Sequence, residues 1–165
     1  MSFCSTNEID NFRYDDCCIV KRKNTETDLV LEVKALIIKG DNSQNANFTE
    51  SYADLTQIIF RNGSVIKGIK EGMKRYDADE NLIEEIKDTV LDDVTLEQVC
   101  NNLDGMYLHG IMLVDDTDDY VIFIEKAGED EDSYDIISSD NYQIKVHCDS
   151  VIMRWDRYLN RVEQM

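Results

Sequence analysis

Short segments rich in β-branched and aromatic residues recur along the chain, and polar turns separate them. Such segments favour strands, because branched and aromatic side chains pack well on a pleated surface. The pair Asn62-Gly63 is typical of a two-residue hairpin turn, since both residues accept a positive φ. The pattern predicts antiparallel strands joined by hairpins, over residues 17–20, 28–39, 52–60, 65–69, 106–114, 120–126, 134–138 and 142–148.

Two helices are predicted between the two groups of strands. Asp79 can cap a helix over 80–91, and Thr95 can cap a shorter helix over 96–103 that ends near Gly105. The first helix would bury one face, because its apolar residues recur at helical spacing. These residues are Leu82, Ile83, Ile86 and Val90.

The C-terminal region, residues 149–165, permits two interpretations. Its apolar residues have helical spacing, whereas residues 150–155 can equally extend the sheet. We interpret Trp155 as a core residue, because aromatic stripes at this spacing pack inside more often than they anchor a partner. We therefore predict an α+β fold: mainly an antiparallel sheet of hairpins or a meander, with a central helical pair and, under the helical interpretation of residues 149–165, a C-terminal helix.

The length of 165 residues favours a single domain over 1–165, with a polar, partly ordered start over 1–15. The first residues lack the basic and apolar regions of a signal peptide, and no apolar run approaches the about 18 residues of a membrane span. The 5 cysteines are an odd number without the spacing of a disulfide framework. We therefore expect free thiols in a cytoplasmic protein.

The charge is concentrated in the middle of the chain. Residues 1–75 hold 11 basic and 11 acidic residues, and residues 144–165 hold 4 and 3. Residues 76–143 hold 2 basic and 21 acidic residues, a net charge of -19, against -18 for the whole chain. Because such concentration destabilises a fold through self-repulsion, it indicates either a functional surface or a solvated acidic face.

The sign of this charge excludes two classes of partner. A nucleic-acid binder needs lysine and arginine to neutralise phosphates, and a peripheral membrane protein needs them to bind anionic lipid. We therefore expect binding neither to nucleic acid nor to membranes. A basic protein is the partner that the charge favours.

Catalytic and metal-binding interpretations of the same residues are weaker. The Asp115–Asp119 segment offers oxygen ligands for Ca²⁺ but lacks the residue order of a calcium loop. The clustered carboxylates lie in predicted loops and on a helix surface rather than in a cleft, which acid–base catalysis requires. Cys17-Cys18 and His147-Cys148 supply zinc-ligand types without zinc-site spacing. No enzyme motif is present, so we expect no catalytic residue, cofactor or metal.

The sequence thus favours a non-enzymatic acidic protein that docks on a basic partner. An immunity- or antitoxin-type inhibitor of a nuclease, or of another nucleic-acid-binding protein, fits the size and charge, because a carboxylate array can mimic phosphates. The residues predicted to bind the partner are Glu80, Glu84, Glu85, Asp88, Asp115, Asp116, Asp118, Asp119, Glu129, Asp130, Glu131 and Asp132.

Two alternatives stay open. A pocket inside the sheet, using Tyr107, His109 or Tyr120, would make the chain a small ligand-binding or enzymatic domain. An acidic adaptor subunit of a larger assembly is the other alternative. A meander of the strands 106–114, 120–126 and 134–138 would place the Asp115–Asp119 and Glu129–Asp132 loops at opposite ends of the sheet, about 23 Å apart, with Asp140 beside the first loop.

Overall fold

The computed structural model describes residues 2–46, 48–127 and 140–161. The structure is mostly antiparallel β-strand, and the described residues hold one α-helix and one short 3-10 turn at Ile9–Asn11. In chain order the elements are β1 Phe3–Thr6, β2 Phe12–Arg13, β3 Cys18–Asn24, β4 Leu29–Lys34, β5 Ile37–Ile38, β6 Ser51–Ala53, β7 Thr56–Arg61, β8 Ser64–Lys70, β9 Met73–Tyr76, β10 Leu82–Ile86, β11 Thr89–Val90, α1 Asp93–Asn101, β12 Tyr107–Leu113, β13 Asp119–Lys126, β14 Asp140–His147, β15 Ser150–Trp155 and β16 Tyr158–Arg161.

The main sheet is rolled rather than flat. Its order is β1-β15-β7-β4-β3-β12-β13-β14-β8-β11, so β7 and β8 are six positions apart. In a flat sheet six steps would separate them by about 29 Å. Only two residues join them, and the chain from Arg61 to Ser64 can reach about 11 Å. The sheet must therefore curl until its two halves face each other.

One long antiparallel ribbon joins the two halves. It consists of β7 and β8 on one side and of β14 and β15 on the other. Phe60 pairs with Val151 before the bend and Val65 with Val146 after it, so the register is unchanged. At the bend Asn62 has a φ of 52°, and the Asp149 N–H donates to the Arg61 carbonyl at 2.8 Å.

The core fills the space between the two halves of the rolled sheet. Its side chains alternate along the strands, as in β13, where Tyr120, Ile122 and Ile124 are buried. A four-stranded sheet, ordered β16-β6-β5-β2, covers one end. There Trp155 lies at the centre of an aromatic cluster with Phe3, Phe12 and Tyr158.

Helix α1 covers the side of the roll next to β8. The Asp92 carboxylate caps it by accepting the Thr95 N–H at 2.7 Å. At the other end Arg22 donates to the Cys100 carbonyl at 3.0 Å, which places a cation at the negative end of the helix dipole. Val99 and Cys100 are buried in the core.

The predicted helix over 80–91 is wrong, because this segment forms β10 and β11. The Asp77 carboxylate accepts the N–H groups of Asp79 and Asn81, both at 2.9 Å, and these bonds form a turn in place of a helical cap. The residues assigned to a buried helical face are exposed on strands. They are Leu82, Ile83, Ile86 and Val90.

The predicted fold class is also wrong, since a mostly antiparallel sheet with one helix replaces the α+β fold with a helical pair. The second predicted helix corresponds to α1, but Asp92 caps it instead of Thr95. Of the two interpretations of residues 149–165, the strand is the one found, as β15 and β16.

Two predictions about pairing are wrong as well. The strands on either side of Asn62-Gly63 do not form a hairpin, because each pairs with another strand instead. The third strand of the meander is β14, and its first residue, Asp140, lies opposite Lys126 at the far end from the Asp115–Asp119 turn. The strand predicted over 134–138 lies outside the described residues.

Replacing Trp155 by alanine should lower the free energy of unfolding by about 3–5 kcal/mol, because the change removes a fully buried aromatic side chain. Urea unfolding followed by far-UV circular dichroism measures this, since the variant lacks the chain's only tryptophan. The control Leu159→Ala removes an exposed side chain and should change stability by less than about 0.5 kcal/mol. Equal losses in the two variants would contradict the assignment of the core.

Candidate functional site

A two-stranded hairpin projects from the rolled sheet. It comprises residues 72–88, which we call the arm, with β9 and β10 as its strands. It begins where β8 ends, beside the start of β14, because the Glu71 N–H donates to the Asn141 carbonyl at 2.8 Å. All nine residues of β9 and β10 are exposed, so the arm contributes no side chain to the core.

Cross-strand pairs organise both faces of the arm. Tyr76 lies opposite Leu82, and Met73 lies opposite Ile86, so each face carries one apolar pair. Charged pairs lie next to them: Arg75 contacts Glu84 at 3.1 Å, and Lys74 lies opposite Glu85. Such pairs each contribute about 0.2–1 kcal/mol and fix the register. Glu84 and Glu85 therefore point to opposite faces, because successive side chains alternate along a strand.

The tip of the arm is an ordered polar turn around Asp77. The Asn81 and Asp79 backbone N–H groups donate to its carboxylate and hold its pKa below the usual value. Glu80 has a φ of 65°, and its N–H donates to the Asp77 carbonyl at 3.1 Å. The turn thus presents the side chains of Asp79 and Glu80 to solvent.

The base of the arm is a bend at Gly72. The Asp88 carboxylate accepts the Gly72 N–H at 2.7 Å. A Cβ at this glycine would lie 1.8 Å from the Ile86 carbonyl oxygen, so any other residue forces the two strands apart. The sequence predicts that Asp88 contacts a partner. In the structure its carboxylate accepts the hydrogen bond that positions the arm.

The second acidic surface is the turn between β12 and β13, residues Asp115–Asp119, which we call the aspartate turn. Thr117 donates to the Val114 carbonyl through its hydroxyl at 2.7 Å and its N–H at 3.2 Å. Asp116 adopts a φ of 60°, a region that aspartate tolerates. Asp119 lies 2.7 Å from His147 and 3.6 Å from Lys145, so its carboxylate is paired within the fold.

The aspartate turn lies against the bend of the long ribbon. The Cys148 N–H donates to the Asp118 carbonyl at 3.1 Å, and Asn62 donates to the Asp149 carboxylate. Burial, followed by the nearby carboxylates of Asp149, Asp118 and Asp119, raises the pKa of the Cys148 thiol to about 11. This end of the molecule is therefore a cluster of aspartates over a buried, protonated thiol.

The structure divides the residues predicted to bind a partner between two separate places. Glu80, Glu84, Glu85 and Asp88 lie on the arm, and Asp115, Asp116, Asp118 and Asp119 form the aspartate turn. The two places lie toward opposite ends of β13 and β14, whose seven residue steps span about 23 Å. The other four, Glu129, Asp130, Glu131 and Asp132, lie outside the described residues.

Sequence reasoning missed the apolar side chains of the arm. The sequence predicts no role for Met73 and Tyr76, and it places Leu82, Ile83 and Ile86 on the buried face of a helix. The signal that identifies them is the match of Lys74-Arg75 with Glu84-Glu85 across the polar Asp77–Asn81 segment, which is typical of a hairpin.

The residues proposed for a pocket inside the sheet do not converge. Tyr107 and His109 are exposed on β12, whereas Ile111, which follows a bulge between Leu108 and Gly110, is buried. His109 lies 2.7 Å from Glu125 and lines an open surface depression of about 380 Å³. Tyr120 is buried in the core, and its burial raises its pKa.

The other candidate chemical groups are likewise not assembled into a site. Burial raises the pKa of Cys17 to about 12, so its thiol is protonated at neutral pH. In the part of the chain that the structure describes, no three histidine, cysteine or carboxylate side chains are placed to hold a metal ion. Within the same residues, no helix has the length and apolar character needed to cross a membrane.

Comparison with known proteins adds no identity: no family model, no curated protein and no solved structure matches the chain. The functional inference therefore depends on the geometry of the arm and of the acidic surfaces.

Replacing Gly72 by alanine should disorder the arm, because the new Cβ collides with the Ile86 carbonyl. Amide exchange over residues 73–86 should accelerate by about tenfold or more, whereas core strands such as β13 keep their protection, since the arm buries nothing there. The matched control is Gly110→Ala, whose Cβ would lie 3.8 Å from its nearest neighbour, on Phe123. An arm that stays protected, or a control with the same effect, would contradict the assigned bend.

The thiols should differ sharply in alkylation of the native protein at pH 8. Exposed Cys4 should react with iodoacetamide, whereas Cys17 and Cys148 should stay unmodified because they are buried and their raised pKa values leave almost no thiolate. Mass spectrometry of the digest measures each site, and the urea-unfolded chain provides the reference in which all three react. Equal native rates at Cys4 and Cys148 would refute the burial of Cys148.

Proposed function

We propose that this chain is a non-enzymatic binding protein whose acidic surface docks on a cationic protein. The observation that carries the proposal is the scarcity of basic side chains near the acidic ones. Among the described carboxylates of residues 76–127, only Glu84 and Asp119 have a lysine or arginine within 4.0 Å, and Glu125 has a histidine within that distance. The remaining carboxylates of this segment are exposed to solvent.

The distribution of these carboxylates favours a macromolecular partner over an ion. They lie on the projecting arm, along and just after helix α1, and in the aspartate turn at the far end of the sheet, so one small cation cannot contact them all. A large cationic surface can meet any of these places, and the field of the acidic segment would steer it into contact.

Proteins that bind nucleic acid present such surfaces, because they must neutralise phosphates. Carboxylates seated in their cationic cleft would exclude the nucleic acid. The proposed activity is therefore inhibition of a nuclease, or of another nucleic-acid-binding protein, of the kind that immunity proteins and antitoxins perform.

The test begins with capture of basic proteins from the host lysate at about 50 mM and about 500 mM salt, followed by purification of the retained protein. The association rate of that protein should fall by about tenfold or more at the higher salt, because screening removes electrostatic steering. Its nuclease or nucleic-acid-binding activity should also fall when the chain is added. A partner without basic character, or an association rate independent of salt, would overturn the proposal.

Charge variants locate the acidic surface that steers the partner. One neutralises the arm (Asp79→Asn, Glu80→Gln and Glu85→Gln), another neutralises the aspartate turn (Asp115→Asn, Asp116→Asn and Asp118→Asn), and Asp119 is kept because it is paired. The control makes the same change in net charge on the neutral part of the chain (Asp10→Asn, Asp16→Asn and Asp41→Asn). At least one acidic variant should associate about tenfold more slowly than the control at low salt. If both match the control, neither surface steers the partner.

A further inference from the structure

The arm exposes more apolar surface than its own stability explains. A two-stranded hairpin is at best marginally stable alone in water, and contiguous exposed apolar groups mark interaction sites. Every apolar side chain of β9 and β10 is about half exposed or more. The exposed fractions are 48% for Met73, 56% for Tyr76, 49% for Leu82, 60% for Ile83 and 51% for Ile86.

We infer that the arm inserts into a cleft of the cationic partner, where Tyr76, Leu82 and Ile83 contact an apolar floor and the neighbouring carboxylates meet a cationic rim. This inference rests on the proposed function and names the surface that performs it. The Tyr76–Leu82 pair lies next to the polar tip, and Ile83 is the extra residue of a bulge in β10. The apolar groups are thus at the end of the arm that enters first.

Charge decides between a cationic partner and a second copy of this chain. Residues 72–88 hold six acidic and three basic side chains, and the whole chain carries -18. Antiparallel pairing of two β9 edges would bring together two Lys74-Arg75 pairs, and pairing of two β10 edges would bring together two Glu84-Glu85 pairs. Since like charges placed opposite each other are destabilising, symmetric edge-to-edge self-association through the arm is disfavoured, and the net charge of -18 on each copy opposes other arrangements.

The arm, with 17 residues, supplies most but not all of one side of a typical specific interface. Such interfaces use about 20–30 residues on each partner. The arm supplies the residues 72–88, and exposed Val90 at its base extends the apolar surface. Met73, Tyr76 and Ile86 also line a depression of about 590 Å³ that a side chain of the partner can fill.

Apolar and acidic side chains should affect different rates. Carboxylates at a rim act mainly on association, whereas buried anchors, tyrosine prominent among them, act mainly on dissociation. Apolar substitutions on the arm should therefore accelerate dissociation and leave the association rate nearly unchanged.

The experiment uses the full chain and the basic protein purified in the salt-dependent capture. The arm variant combines Tyr76→Ser, Leu82→Ser and Ile83→Ser. The control variant combines Leu55→Ser, Met112→Ser and Leu159→Ser, whose side chains are exposed to a similar degree elsewhere. The arm variant should dissociate about 100-fold faster or more, and the control within about threefold of the original chain. Amides of residues 73–86 in the original chain should gain protection from exchange in the complex.

Each other result has a distinct meaning. A basic partner that binds both variants equally, or that leaves the arm amides unprotected, overturns the inference while the proposed function stands. Failure of the salt-dependent capture overturns both. Sedimentation velocity tests the competing occupant: a concentration-dependent dimer that the arm variant abolishes assigns the arm to a second copy and overturns the inference. Thermal unfolding of both variants should match that of the original chain, since none of the six side chains lies in the core.

Discussion

The register that the long ribbon keeps across its bend is the constraint on which the rest of the structure depends. Phe60–Val151 and Val65–Val146 belong to one antiparallel ladder, although a bend at Asn62 and Asp149 separates them. One half of the ladder pairs with β4 and β1, and the other half pairs with β13 and β11. The bend therefore brings two groups of strands face to face, and the core fills the space between them.

The same ribbon determines where the acidic surfaces lie. The aspartate turn lies at its bend, whereas the arm leaves from the far end of β8. The arm and the aspartate turn, which are tens of residues apart in the sequence, thus lie toward opposite ends of the same strands, β13 and β14. A partner that touches one end need not reach the other, so the two acidic surfaces are open to independent use.

The positions of the strands could be predicted from local sequence, but which strands pair with each other could not. Segments such as 106–114 and 120–126 contain strands because β-branched alternation is a local signal, and the aspartate turn between them follows from its composition. Asn62-Gly63 is a turn, yet the strands beside it pair elsewhere, because the choice depends on distant residues. The sequence predicts Asp79 as a helix cap, whereas the two hydrogen bonds that the Asp77 carboxylate accepts form the turn of a hairpin. Eight of the carboxylates predicted to bind a partner lie on the arm and in the aspartate turn, whereas the sequence assigns Leu82, Ile83 and Ile86 to a core that they do not join.

The bend at Gly72 has a consequence for how this protein can change. The arm buries no side chain in the core and leaves the sheet through a single glycine held by Asp88. Substitutions at Tyr76, Leu82 or Ile83 therefore leave the packed core unchanged, so the arm and the rolled sheet can diverge in sequence independently of each other.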